Sequence, residues 1–273
     1  GSEMCIRDSC TIFGINQDKE GNLWFATYDG VNKYDGYNFT VYRHQYANPQ
    51  SIACDISRCV TVDDSGRVWI GTREGFSLYN RDQDTFSNYF YKENGYKATV
   101  TCIAPMNKDY LMLGTTSGVL LFDIGKERIL NDTLPHPLHL LRPTAMVRQS
   151  DKIYIGVEKG LYVYSLANGT LEKLVDMPKA TRIHSVFCQM FTRIWIATEG
   201  EGLYMYDTKS KELKNYRHED GYSGLNSNYV RSLAVDQENR LWVGTYGGLN
   251  IYEGGKDRFL SVRNSAIQEG SLS

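Results

Sequence analysis

The residues of this chain whose types suit chemistry or recognition recur at two fixed kinds of position. One kind is the tip of a short turn: Tyr28-Asp29, Arg73-Glu74, Thr116-Ser117, Glu158-Lys159, Glu199-Gly200-Glu201 and Tyr246-Gly247. The other is the start of an alternating apolar run: Arg58, Arg182, His184, Asn228, Tyr229 and Arg231. Arg, Glu and Tyr together suit a polar ligand with hydroxyls and carboxylates, because Tyr faces stack on sugar rings and guanidinium forks pair with carboxylates. The candidate ligand-binding residues are therefore Tyr28, Arg58, Arg73, Glu74, Glu158, Lys159, Arg182, His184, Glu199, Glu201, Tyr229, Arg231 and Tyr246. The plainer alternative for any one of them is a solvated loop residue or an ion pair between neighbouring repeats.

Catalysis would ask for more. A metal-assisted lyase needs His and Glu grouped around an ion, and of His44, His136, His139, His184 and His218 only His184 falls among the recurring positions. His136 and His139 flank Pro137-Leu138 in an expected loop, without the third and fourth ligands that a metal needs. No G-x-S-x-G elbow, phosphate loop or H-E-x-x-H motif occurs. No catalytic residue, metal or cofactor is expected.

The elements that must carry these residues follow from a repeat. Gly21-Asn22-Leu23-Trp24-Phe25-Ala26-Thr27, followed by Gly30-Val31 and Tyr34, is written six times. Trp24 aligns with Trp69, Met112, Tyr154, Trp195 and Trp242, at intervals of 45, 43, 42, 41 and 47 residues. Two positions later each copy is small (Ala26, Gly71, Gly114, Gly156, Ala197, Gly244), which implies close approach of another backbone or side chain. A Gly able to take positive φ then turns the chain, and a second aromatic follows.

Upstream of each aromatic an alternating run is expected as a first strand: Ile12–Gln17, Ser57–Val62, Val100–Pro105, Pro143–Val147, Ile183–Cys188 and Val230–Val235. Its third position carries Gly14, Cys59, Cys102, Thr144, Ser185 or Ser232. Small residues there suit a strand crowded near an axis, while Tyr and Phe suit outer strands. A period in the low forties with four short strands per copy predicts an all-β fold, a β-propeller of six four-stranded blades. The Trp-position aromatics are expected to pack between adjacent blades.

The expected blades are residues 10–53, 54–97, 98–140, 141–180, 181–226 and 227–264. Residues 1–9 match no repeat and are expected to be a leader. Residues 265–273 resemble the lead into blade two, so the six blades are expected to be a segment of a longer, seven-bladed propeller whose ends leave apolar faces open to self-association.

Composition sets outer limits. Hydrophobic residues at 41% and charged residues at 23% fit a globular body with an ample core. A net charge of −2 without basic runs gives no reason to expect nucleic acid or an anionic membrane as partner. No apolar run approaches the roughly 18 to 20 residues of a membrane span. The six cysteines (Cys5, Cys10, Cys54, Cys59, Cys102, Cys188) lack zinc-type spacing, and Cys59 and Cys102 are expected as buried free thiols.

The pattern D-x-x-G-x-[LV]-W-[IVF]-[GA]-T-x-x-G-[LV]-x-x-[YF], carried by the copies around Trp24, Trp69, Trp195 and Trp242, resembles the two-component-regulator propeller repeat. The resemblance extends over residues 10–273 and is weakest in copies three and four. It implies the periplasmic sensor region of a Bacteroidetes hybrid two-component system, some members of which sense oligosaccharides. On that footing the expected function is a non-catalytic, extracytoplasmic ligand-binding propeller recognising an oligosaccharide at its channel mouth. The alternatives are a scaffold for protein contacts, with another propeller as a partner, and a propeller lyase.

Overall fold

The computed structural model describes residues 11–93, 95–130, 134, 136–218, 224–236 and 238–262. The expected leader at 1–9, the lead at 265–273, and Cys5 and Cys10 lie outside the described residues. The alternating runs, separated by Gly- and Asp-bearing turns, fold as antiparallel meanders. Six such four-stranded sheets form among the described residues, each with its strands in chain order, and they are the blades of a β-propeller.

Blade one comprises Ile12–Gln17, Leu23–Thr27, Val31–Tyr34 and Phe39–Tyr42; blade two Ser57–Val62, Val68–Thr72, Gly75–Asn80 and Thr85–Tyr89. Blade three comprises Val100–Pro105, Tyr110–Thr115, Gly118–Asp123 and Arg128–Leu130; blade four Ala145–Gln149, Lys152–Val157, Gly160–Ser165 and Leu171–Asp176. Blade five comprises Ile183–Gln189, Arg193–Thr198, Leu203–Asp207 and Leu213–Tyr216; blade six Val230–Val235, Leu241–Thr245, Gly248–Glu253 and Arg258–Val262. The chain divides into two compact units, residues 1–148 with 165–171 and residues 149–164 with 172–273. Blades one to three belong to the first, and blades five and six to the second.

In the first unit the blades are held together by aromatics that cross from one sheet to the next. Trp24 is fully buried, with its ring 4.6 Å from Tyr79 of blade two. Trp69 stands in the same relation to Phe122 of blade three at 6.0 Å. In the second unit Trp195 meets Tyr252 of blade six at 5.0 Å, in a core completed by Leu203, Leu225, Val230 and Phe259. Trp24, Trp69 and Trp195 thus pack between neighbouring blades. Burying such a ring contributes several kcal/mol, on the order of 3 to 5 as judged by truncation.

The small residues have a steric reason. On the second strand, a Cβ added at Gly71 would stand 2.5 Å from the Cys59 sulfur, and one at Gly114 would stand 2.5 Å from that of Cys102. The opposed first-strand and second-strand positions are therefore complementary in size: Gly14 faces Ala26, Cys59 faces Gly71, Cys102 faces Gly114, Ser185 faces Ala197 and Ser232 faces Gly244. Neither Cys59 nor Cys102 is disulfide-bonded, and burial pushes the Cys59 thiol up to about 12.

Two expectations are corrected, and one element is added. The segment holding His136 and His139 is not a loop: it forms a short helix, α1 (His136–Leu140), which packs on strand Gly118–Asp123 and buries Leu138. The first strand of blade four is Ala145–Gln149 rather than Pro143–Val147, which leaves Thr144 just outside it. Pro143 has no N–H to give a ladder, and its carbonyl instead accepts the Thr101 hydroxyl at 2.6 Å. A small extra hairpin, Lys92–Glu93 with Tyr96–Lys97, follows blade two. Among the described residues no helix is long and apolar enough to cross a membrane.

Candidate functional site

Two local devices aim side chains at one end of the blades. The first is a β-bulge at the second residue of the first strand. Pairing slips between Ile12 and Gly14, Ser57 and Cys59, Val100 and Cys102, Ile183 and Ser185, and Val230 and Ser232. Phe13, Arg58, Thr101, His184 and Arg231 are the extra residues, and a bulge re-aims its side chain off the sheet.

The second device is the Thr-x-x-Gly turn between strands two and three. The hydroxyls of Thr27, Thr72, Thr115 and Thr245 donate to the carbonyls of Gly30, Gly75, Gly118 and Gly248 at 2.8 to 3.0 Å, and Thr198 reaches Gly202 at 2.6 Å. Gly202 has φ 80°, and a Cβ there would collide with the Tyr216 carbonyl. The turn tips are thereby fixed.

In the second unit these devices assemble one cluster. Arg231 Nη1 stands 3.0 Å from Nε2 and 3.3 Å from Nδ1 of the His184 ring, and the guanidinium also donates to the Tyr246 hydroxyl. Its carbon lies 4.6 Å from the Tyr246 ring centroid. Tyr246 stacks on Tyr229 with centroids 5.5 Å apart and planes 13° from parallel. Glu199 Oε2 stands 3.6 Å from His184 Nε2, and the Glu199 N–H donates to the Arg182 carbonyl at 3.0 Å.

Backbone bonds lock the arrangement. Tyr246 N–H donates to the Tyr229 carbonyl at 3.1 Å, while Gly200 and Gly202 N–H groups both donate to the Asn228 carbonyl. Asn228 Oδ1 accepts from His218 N–H at 2.6 Å, so its side chain is structural.

The electrostatics follow from this packing. Burial, then the charges of Arg231 and Arg182, push the His184 pKa down to about 4, so the ring is neutral at pH 7. A guanidinium has only donors to offer, and a neutral imidazole nitrogen is the acceptor it needs. Burial also lowers the pKa of Arg231 itself.

The other expected site residues lie elsewhere. Glu201 instead accepts from Arg217 at 2.6 Å, with Lys179 at 3.3 Å. Glu74 pairs with Lys97 at 2.9 Å, and its counterpart Asp29 pairs with Arg43 at 2.7 Å. The Glu201–Lys179 pair joins neighbouring repeats, whereas Glu201–Arg217 and Glu74–Lys97 lie within one repeat each. Arg73 is exposed, and its carbonyl accepts from Thr99 Oγ1. Glu158 and Lys159 are exposed at a turn tip whose carbonyls accept from Thr181 and Met177.

In the first unit Arg58 lies over Phe13 at 4.8 Å, with Tyr28 6.3 Å from Phe13. This is a second, smaller aromatic and cationic grouping built on the same bulge position. Phe13 was not singled out by sequence, although its alignment with Arg58 and Arg231 was available. A cleft of about 440 Å³ in the same unit, lined by Tyr89, Phe90 and Phe122 among others, contains none of the expected site residues. Among the described residues no group of three or more His, Cys, Asp and Glu side chains could hold a metal ion.

The sequence profile described as "Two component regulator propeller" matches residues 7–29 and 224–247. The fold matches the extracellular domain of the putative hybrid two-component system BT3049 from B. thetaiotaomicron, at 27% identity and a TM-score of 0.75, over 97% of this chain and 36% of that one. Virginiamycin B lyase from Staphylococcus aureus matches at 11% identity and a TM-score of 0.71, over 97% of this chain and 87% of that one, a likeness of fold alone. Histidine kinase P4 from Formosa agariphila is 39% identical over 59 residues, 21% of this chain and 4% of that protein. The chain thus spans about a third of the solved extracellular domain that it matches. It carries the two-component-regulator propeller repeat.

Proposed function

We propose that this chain, built of two-component-regulator propeller repeats, is part of the extracytoplasmic sensor region of a two-component signalling protein and recognises an oligosaccharide without turning it over. The observation that carries this reading is the Tyr229–Tyr246 stack with Arg231 and His184 at its side. Exposed, rigidly stitched aromatic faces with fixed donors beside them are the means by which proteins hold sugar rings and their hydroxyls. The similarity to a sensor domain supports the signalling context, and a periplasmic position is part of the same proposal.

Catalysis has less support. A histidine whose pKa is pushed down to about 4 is a weak base at neutral pH. One specific observation favours a second reading, a surface for protein contact. Ile15 of blade one is 55% exposed, whereas its equivalents Val60 and Ile103 are buried, and Phe39 nearby is exposed as well.

The test is a glycan panel screened by thermal shift and calorimetry, alongside a turnover assay with and without divalent metal. The expected result is saturable binding of at least one oligosaccharide without turnover, weakened about tenfold in Tyr246→Ala, as loss of a stacked aromatic face predicts. A metal-dependent rate abolished by His184→Ala would overturn the sensor reading.

A further inference from the structure

Three arginines of the second unit are paired with acids. Arg217 holds Glu201, Arg240 holds Asp236 and Arg258 holds Glu253, each at 2.6 Å. Arg231 is different. It is half-buried, and among the described residues its guanidinium bonds to the two ring nitrogens of His184 and to the Tyr246 phenol, all neutral. Among the described residues no carboxylate stands at salt-bridge distance from it, nor from the side chain of Arg182.

Glu199 is the acid in this neighbourhood: its carboxylate stands 3.6 Å from His184 Nε2 and its charge acts on Arg231 without closing a salt bridge to it. With His184 neutral, two guanidiniums and one carboxylate leave the cluster with an excess positive charge. Withdrawing a cation from water without a counter-ion is costly, so a half-buried guanidinium normally acquires a partner. Here, among the described residues, no carboxylate closes a salt bridge to its remaining N–H groups, and the guanidinium lies beside an exposed pair of stacked tyrosines. A guanidinium fork matches a carboxylate in geometry and charge, and matches a sulfate ester nearly as well.

We propose that the anionic group of an acidic saccharide, a carboxylate or a sulfate ester, sits on Arg231 and Arg182 while the sugar ring lies against Tyr229 and Tyr246. This rests on the saccharide reading above and adds the charge class of the ligand. Neutral His184 supports it structurally. As an acceptor for one N–H it orients the guanidinium, and being uncharged it adds no repulsion toward the partner that the arginine keeps.

Calorimetric titration of the 273-residue chain with a galacturonate trimer, a galactose trimer and galactose 6-sulfate tests the inference. The expected result is that one of the two anionic probes binds about tenfold or more tighter than the neutral trimer, as a charge-assisted pair implies, with affinity that falls as salt rises. Which anionic probe prevails separates a carboxylate source from a sulfate source. Arg231→Gln and Arg182→Gln should each erase the preference by weakening the anionic probe much more than the neutral trimer, and Arg231→Lys should keep part of the salt dependence but lose most of the tightness. If Arg231→Gln loses its β spectrum, Arg182→Gln and Arg231→Lys decide.

Equal affinity for neutral and anionic probes, or an anionic preference untouched in the decisive variants, overturns the inference. Binding of the neutral trimer alone, lost in Tyr246→Ala, overturns it and leaves the saccharide reading standing. No binding of any probe overturns both.

Discussion

The indole N–H of Trp69 donates to Asp63 Oδ2 at 2.9 Å, and both residues are buried. The other carboxylate oxygen accepts the backbone N–H groups of Ser65 and Arg67 in the turn between strands one and two. Trp24 with Asp18 and Trp242 with Asp236 repeat the arrangement, and in blade five Gln189 takes the acid's place beneath Trp195. Asp18, Asp63 and Asp236, which open these turns, therefore each serve two masters. Each closes its turn and satisfies the one polar atom of the aromatic.

Asp63→Ala should consequently destabilise the first unit by about 2 to 3 kcal/mol, since it strands a buried indole N–H and the turn's amides together. Asp63→Asn, which keeps an acceptor, should cost less. Urea midpoints with unchanged slopes would measure both. A neutral Asp63→Ala would show that the indole bond contributes nothing beyond what water supplies.

The four tryptophans should not be equivalent. Trp24, Trp69 and Trp195 are fully buried between blades, whereas Trp242 is half-buried. Trp24→Ala or Trp195→Ala should cost on the order of 3 to 5 kcal/mol, and Trp242→Ala clearly less, because only part of its ring leaves a packed surface. Equal losses in chemical denaturation would contradict the burial argument.

A second tie between blades is acidic. Asp84, in the last hairpin of blade two, accepts the hydroxyls of Tyr42 from blade one and Tyr79 from its own blade at 2.6 and 2.7 Å. In the second unit Asp257 does the same for Tyr216 and Tyr252. Burial opposes the charge on Asp84, but the two phenols and the Lys33 ammonium outweigh it and hold the carboxyl below its usual range. For Asp236 the same competition brings the pKa down to about 2.

Depressed carboxylate pKa values contribute stability that is fully present above the unfolded value near 4 and is lost as pH falls through the folded value. Acid unfolding from these groups should therefore set in below about pH 4 and proceed toward pH 2. Asp84→Asn should flatten that decline. An acid limb unchanged in Asp84→Asn would remove this tie from the account.

Much of this fold was legible because its cause is local and repeated. The first strands at Ile12–Gln17, Ser57–Val62, Val100–Pro105 and Val230–Val235 fall where alternation places them. Register is not local, however. Alternation alone cannot say that Arg58, His184 and Arg231 are bulged, since a bulge is a slip against a partner strand. Nor could spacing separate Glu199 from Glu201, two residues apart in one turn. Gly200, at φ 92°, reverses the chain between them, so Glu199 stays with His184 while Glu201 leaves for Arg217. Likewise, Pro and His in Leu134 to His139 look like a loop until Leu138 finds a buried site on blade three and winds a helical turn.

The last expectation concerns His184, whose ionisation reports the state of the candidate site. Burial and two neighbouring guanidiniums push its pKa from 6.5 down to about 4. The unfolded chain takes up that proton near pH 6.5 and the folded chain does so only near pH 4, so stability is highest above pH 6.5 and declines as pH falls through this window. The loss should amount to on the order of 2 to 3 kcal/mol by pH 4, distinct from the carboxylate limb below it. His184→Gln should remove the slope between pH 6.5 and 4. Titration followed by NMR should place the His184 midpoint near 4, and Arg231→Gln should raise it by removing the nearer positive charge. A midpoint near 6.5 in the unsubstituted chain would mean that the ring is solvated and not held against Arg231, and the cluster would lose the rigid acceptor that orients its guanidinium.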